Sequence, residues 1–196
     1  MGLIDSIIGA ESGGDPDARN PRSSASGLGQ FIDSTWLDTI RRARPDLVEG
    51  KSEPELLALK SDPQISRQMT EAYAAQNGAL LSNAGHPVTP GTTYLAHFAG
   101  PQGALSVLNA DPNAPVSSVL TPAAVKANPF LQGMTVGDLK AWADRKMGSA
   151  VTQPPAAVTP ANAVPAAPLS IAPQAPPIFA PPPQAQPQQQ AAPQMP

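Results

Sequence analysis

The composition of the 196-residue chain changes abruptly at one point, and that break limits what can fold. All 12 Lys and Arg, all 15 Asp and Glu and all 15 Gly precede Val151, whereas 14 of the 26 Pro fall in the 46 residues from Val151 to Pro196. Those 46 residues carry no charge, and Pro, Ala and Gln make up 34 of them. So few large apolar side chains cannot offset the entropy lost on ordering, and residues 151–196 are expected to form a disordered, polyproline-like tail. Residues 1–150 are then the folded domain, long enough for one real core.

A net charge of -3 with mixed signs provides no field suited to nucleic acid or to an anionic membrane surface. No apolar run approaches the roughly 20 residues of a membrane span. The start, Met1 to Glu11, has no basic region, long apolar stretch or small-residue cleavage site, so no conventional secretion signal is visible. Zero cysteines exclude disulfides, zinc–thiolate sites and thiol catalysis.

No stretch of the first 150 residues sustains period-2 alternation, and the expected fold class is all-α. Leu3, Ile4, Ile7 and Ile8 recur at helical spacing, and Gly13 with Gly14 stops that helix near Ser12. Asp15 to Ser26 is polar and turn-rich. Ser34 is the expected N-cap of a helix carrying Trp36, Leu37 and Ile40. Ser52 with Glu55 fits a capping box, and Asp62-Pro63 opens a long helix through Ile65, Met69 and Tyr73 to about Leu81. Further helices are expected over Thr89 to Phe98, Pro101 to Leu108, Val116 to Ala127 with a break at Pro122, and Thr135 to Met147.

The most informative residue is Glu11. The apolar face of the first helix runs through Ile4, Ile7 and Ile8 and reaches Glu11 three residues later, so a carboxylate stands where a core side chain belongs. Burial and the negative end of the helix dipole both raise a carboxyl pKa. Such a group can remain protonated near neutral pH, as a general acid must. The alternative is a frayed helix end with Glu11 turned into solvent.

Glu11-Ser12-Gly13-Gly14, then Asn20, then Ala25-Ser26-Gly27-Leu28-Gly29-Gln30-Phe31 and Thr35-Trp36, together resemble the soluble-type (SLT) lytic transglycosylases. In that family the first motif is a catalytic Glu followed by Ser, and the second is a Gly-Leu-Met-Gln box. Gly27, Leu28 and Gln30 match the box, and Gly29 stands in place of its Met. The third motif, commonly Ala-Tyr-Asn-x-Gly, falls on Ala96-His97-Phe98-Ala99-Gly100, where His97 and Phe98 occupy the Tyr and Asn positions. The resemblance covers roughly Leu3 to Gly148 and implies a goose-lysozyme-like helical domain.

It also implies that Glu11 is the catalytic residue and that Ser12, Gly27, Leu28, Gln30, Tyr94, His97 and Phe98 bind substrate. Physically, Gly27 and Gly29 would let the backbone approach a ligand, or would simply shape a loop. Gln30 offers a donor and an acceptor to a sugar. His97 is expected as a polar wall of the cleft and not as a metal ligand. Tyr94 could supply a phenol to Glu11 or be a core tyrosine, and Tyr73 shares that ambiguity. Trp36 and Phe31 are expected in the core.

The implied reaction cleaves the β-1,4 bond between N-acetylmuramic acid and N-acetylglucosamine, leaves a 1,6-anhydromuramyl end, and requires neither metal nor cofactor. The alternatives are a goose-lysozyme-like hydrolase, which needs a second carboxylate sought at Asp15 or Asp17, and an inactive peptidoglycan-binding or structural module. The expected partner is the peptidoglycan glycan strand, met by a monomer in the bacterial periplasm or cell wall. Delivery by a phage particle, a secretion machine or a flagellar machine would fit the start of the sequence, as would a start codon placed too late. The tail reads better as a spacer than as a specific Pro-rich ligand.

Overall fold

The computed structural model describes residues 2–148, and the expected tail over 151–196 lies outside them. Among the described residues the regular structure is helical, with isolated bridges at Arg19–Ser26, Ser26–Phe31 and Pro115–Thr135. The domain is therefore all-α.

Helix α1 (Leu3–Ser12) ends where the sequence suggests. Gly13 takes the left-handed conformation at φ 66° and its N–H bonds back to Gly9 O, the usual glycine termination. Helix α2 (Asp33–Ala43) starts two residues earlier than Ser34 would have placed it, with Ile32 as N-cap. The reason is a long-range anchor: the Lys60 ammonium donates to Phe31 O at 2.8 Å and to Asp33 Oδ1 at 2.5 Å, which fixes the chain at the helix entrance. Short helices α3 (Pro45–Val48) and α4 (Glu53–Ala58) follow. The first was not foreseen, while the second has the expected Ser52–Glu55 capping box.

Helix α5 (Pro63–Asn83) is the spine, about 30 Å long at 1.5 Å per residue. Asp62 Oδ1 accepts the N–H groups of Gln64 and Ile65, both at 2.9 Å, and so caps it. The two segments expected on either side of Gly100 form one element, α6 (Pro90–Asn109), with a kink. Gly100 adopts φ 73°, and Pro101 can then open the second half, where its missing N–H is harmless. The stretch from Val116 divides into a 3-10 turn (Val116–Ser118) and α7 (Pro122–Ala127), the break preceding the expected Pro122. A further turn (Pro129–Leu131) precedes α8 (Val136–Lys146), which Thr135 caps.

These elements enclose two apolar clusters that share α5. One holds Phe31, Trp36, Leu37, Ile40, Leu56, Met69 and Tyr73. The other gathers Ile7 with Ala74, Leu81, much of α6 and the inner face of α8. Complete burial of a side chain such as Ile7 or Leu139 contributes about 1.5–3 kcal/mol. Among the described residues no helix is long and apolar enough to cross a membrane.

Candidate active site

Glu11 is buried at the last turn of α1, on the stripe that carries Ile7 and Ile8. The frayed-end alternative therefore does not describe it. Loss of water disfavours its charged form and pushes its pKa from 4.5 up to about 8, although the Tyr94 hydroxyl, by hydrogen bonding to it, and the positive charge of Lys146 both pull the other way. Its Oε1 is buried with no partner among the described residues. Leaving a carboxyl oxygen in that state costs about 1–3 kcal/mol, and such exceptions in a native fold call for a functional account.

Tyr94 lies on the first half of α6, 2% exposed, and its own phenol is driven upward by burial and by the Glu11 charge. Of the two roles its sequence position left open, it fills both: it packs in the core and it addresses the acid. Lys146 was not singled out from the sequence. It sits in the last turn of α8, where a cation suits the helix dipole, and nothing local in the sequence connects it to a glutamate 135 positions earlier.

The second motif is placed differently from expectation. Gly27 does make a close backbone approach, but the approach is to protein: at φ 77°, a Cβ there would run into Lys60 O. The neighbouring Leu28 is buried, and its N–H donates to Ser66 Oγ at 3.0 Å. Gln30 adopts φ 48° and donates both amide hydrogens inward, to Gly27 O at 2.9 Å and Ala18 O at 3.1 Å. It ties the loop together, and as a donor it has nothing left for a sugar. Lys60, also missed in the sequence, completes the arrangement by donating to Ser24 O at 3.0 Å in addition to its α2 contacts.

His97 is buried and so does not form an open polar wall. Its Nε2 bonds Gly29 O at 2.9 Å, and rings of Phe31, Tyr73 and Tyr94 surround it. Burial lowers its pKa to about 4, so the ring is neutral at physiological pH. Tyr73 is likewise a core residue, its phenol raised to about 12 by burial. Phe31 and Trp36 occupy the core, and the Trp36 indole donates to Leu56 O at 2.7 Å.

Ser12 closes the end of α1, donating to Ile8 O and accepting from Gly14 N, each at 3.2 Å. Phe98 is buried against Trp142 and Phe130. Asp15 and Asp17 are exposed, and Asp15 Oδ1 accepts the Asp17 N–H. Among the described residues no group of three or more His, Asp or Glu side chains is arranged to hold a metal.

The geometry thus brings Glu11, Tyr94 and Lys146 together and uses Gly27, Leu28, Gln30 and His97 as the framework beside them. In comparisons with protein-family models and with curated proteins, the chain matches neither.

Proposed function

We propose that the chain is a peptidoglycan lytic transglycosylase of the SLT type with a goose-lysozyme-like domain. The observation that carries this reading is the carboxyl of Glu11, the one buried acid among the described residues, with its pKa raised to about 8. At neutral pH it holds a proton and can give it to a leaving oxygen.

Glu11 protonates the glycosidic oxygen between N-acetylmuramic acid and N-acetylglucosamine, and the bond from C1 to that oxygen breaks. The resulting carboxylate takes the proton of the muramyl 6-hydroxyl, whose oxygen closes onto C1. The acid is regenerated, no water is consumed, and the product ends in a 1,6-anhydro ring. Tyr94 and Lys146, which favour the ionised form of Glu11, stabilise it between the two proton transfers. A hydrolase would need a second carboxylate across the bond. Asp15 and Asp17, the nearest along the chain, are exposed. The place of action would be the bacterial cell wall or periplasm, reached from a phage particle, a secretion machine or a flagellar machine.

Mass spectrometry of soluble products from purified peptidoglycan tests the reading. Anhydromuramyl ends that disappear with Glu11→Gln are expected. Reducing ends would make the protein a hydrolase, and no release by either form would make it a binding or structural module.

A further inference from the structure

The spine helix carries polar side chains along one stripe where a core would be apolar. Ser66, Thr70, Tyr73 and Asn77 recur along one face of α5 and are all buried. The near end of the stripe is satisfied. Ser66 Oγ accepts the Leu28 N–H at 3.0 Å, and Thr70 Oγ1 donates to Ser66 O at 2.8 Å. At the far end, both amide atoms of Asn77 are buried with no hydrogen-bond partner among the described residues, and so is Oγ1 of Thr93 on α6.

These two side chains face each other. Residues 84–89 return the chain from α5 to α6, and two contacts fix the register of the helical hairpin. The Tyr73 and His97 rings lie 5.5 Å apart, and a Cβ on Gly78 would stand 3.3 Å from Val88 Cγ1. Thr93 is one turn before His97 on the same face of α6, whereas Gly91, Tyr94 and Phe98 meet Asp144 and Trp142 of α8. One turn from the ring contact toward the connection, Asn77 therefore stands opposite Thr93. Asn77 is also close enough to the Tyr73 phenol to favour its ionised form.

The hydroxyl of Thr93 is set apart by what it does not bond. The buried threonines Thr39 and Thr70 donate to the carbonyl four residues earlier, at 2.7 and 2.8 Å, and Thr93 does not take that route. Native folds rarely leave buried polar atoms in that state. Facing polar groups that stand beyond direct hydrogen-bond reach are joined by water. We infer that one water molecule is bound between α5 and α6, accepting from the Thr93 hydroxyl and donating to Asn77 Oδ1, with Nδ2 turned to the Tyr73 oxygen. The site props Tyr73 against His97, the residue whose imidazole bonds Gly29 O in the motif loop. It does not depend on the proposed reaction.

The test is magnetic relaxation dispersion of water oxygen-17 on the full chain, which counts long-lived internal waters. Thr93→Val keeps the shape of the side chain and should lose the amplitude of one water. Thr93→Ser keeps the hydroxyl and should retain it. Equal amplitudes in the wild type and Thr93→Val, or the same loss in Thr93→Ser, would overturn the site. Thermal denaturation gives a second check: Asn77→Leu combined with Thr93→Val should melt no lower than Asn77→Leu alone, because the hydroxyl has then already lost its water. Additive losses would show that no water joins the two side chains.

Discussion

Nε2 of His97 lies 2.9 Å from the carbonyl oxygen of Gly29, joining two residues 68 positions apart. These are two of the positions at which the chain departs from the SLT motif pattern, and the departures fit each other. A Cβ on Gly29 would meet Thr70 Oγ1 at 2.5 Å and the Phe31 ring at 2.6 Å. The space that a longer side chain would need is filled, and the backbone carbonyl is left for the imidazole.

Placing the Met of that motif pattern at position 29 should therefore harm this protein. Gly29→Met is expected to destabilise the fold by about 1–3 kcal/mol through overpacking. Thermal denaturation of the single variant and of Gly29→Met with Thr70→Ala checks it, the second recovering part of the loss. An unchanged midpoint in the single variant would contradict the packing argument.

Glu11 and His97 give stability opposite dependences on pH. The folded pKa of Glu11 is raised from 4.5 to about 8, so its contribution is present below 4.5 and is lost as pH rises through 8. That of His97 is depressed from 6.5 to about 4, so its contribution is present above 6.5 and is lost as pH falls through 4. The two trends oppose each other between 4.5 and 6.5, and from 6.5 to 8 the Glu11 loss stands alone. Its size there is about 2 kcal/mol. Denaturant midpoints measured across this range should fall in the wild type and stay level in Glu11→Gln.

Tyr94 lowers the Glu11 pKa by favouring the carboxylate. Tyr94→Phe should move the alkaline limb of the pH–activity profile to higher pH, because the acid then holds its proton longer. A limb that stays in place while activity falls would assign Tyr94 to packing alone.

Lys60 is 3% exposed and carries three hydrogen bonds at the junction of the motif loop and α2. Lys60→Met leaves the carbonyls of Ser24 and Phe31 without this donor and should lower stability by about 1.5–3 kcal/mol. Hydrogen exchange is the sharper readout, since faster exchange should centre on residues 24–33.

What the sequence disclosed and what it concealed divide along one physical line. Local chemistry was legible: the Gly13 stop, the Ser52–Glu55 box, the Asp62-Pro63 start and the spacing that delivers Glu11 into the interior each depend on neighbours within a few positions. Ser34 misled because a distant lysine sets the start of α2. The site divides in the same way. Glu11 could be found from helical periodicity and Tyr94 from the motif resemblance, but the inward donors of Gln30, the His97–Gly29 bond and the Lys146 charge arise only when separate segments meet. Gly27 shows the limit clearly, since its need for close approach was readable and the identity of what it approaches was not.

The spine helix α5 belongs to both apolar clusters, through Met69 and Tyr73 in one and Ala74 and Leu81 in the other. Neither half of the domain can come apart without baring a face of that helix, so disturbance on one side is felt on the other. The half that carries Glu11 and α8 and the half that carries the motif loop are thus bound to a common fate, and damage anywhere along α5 should melt them together.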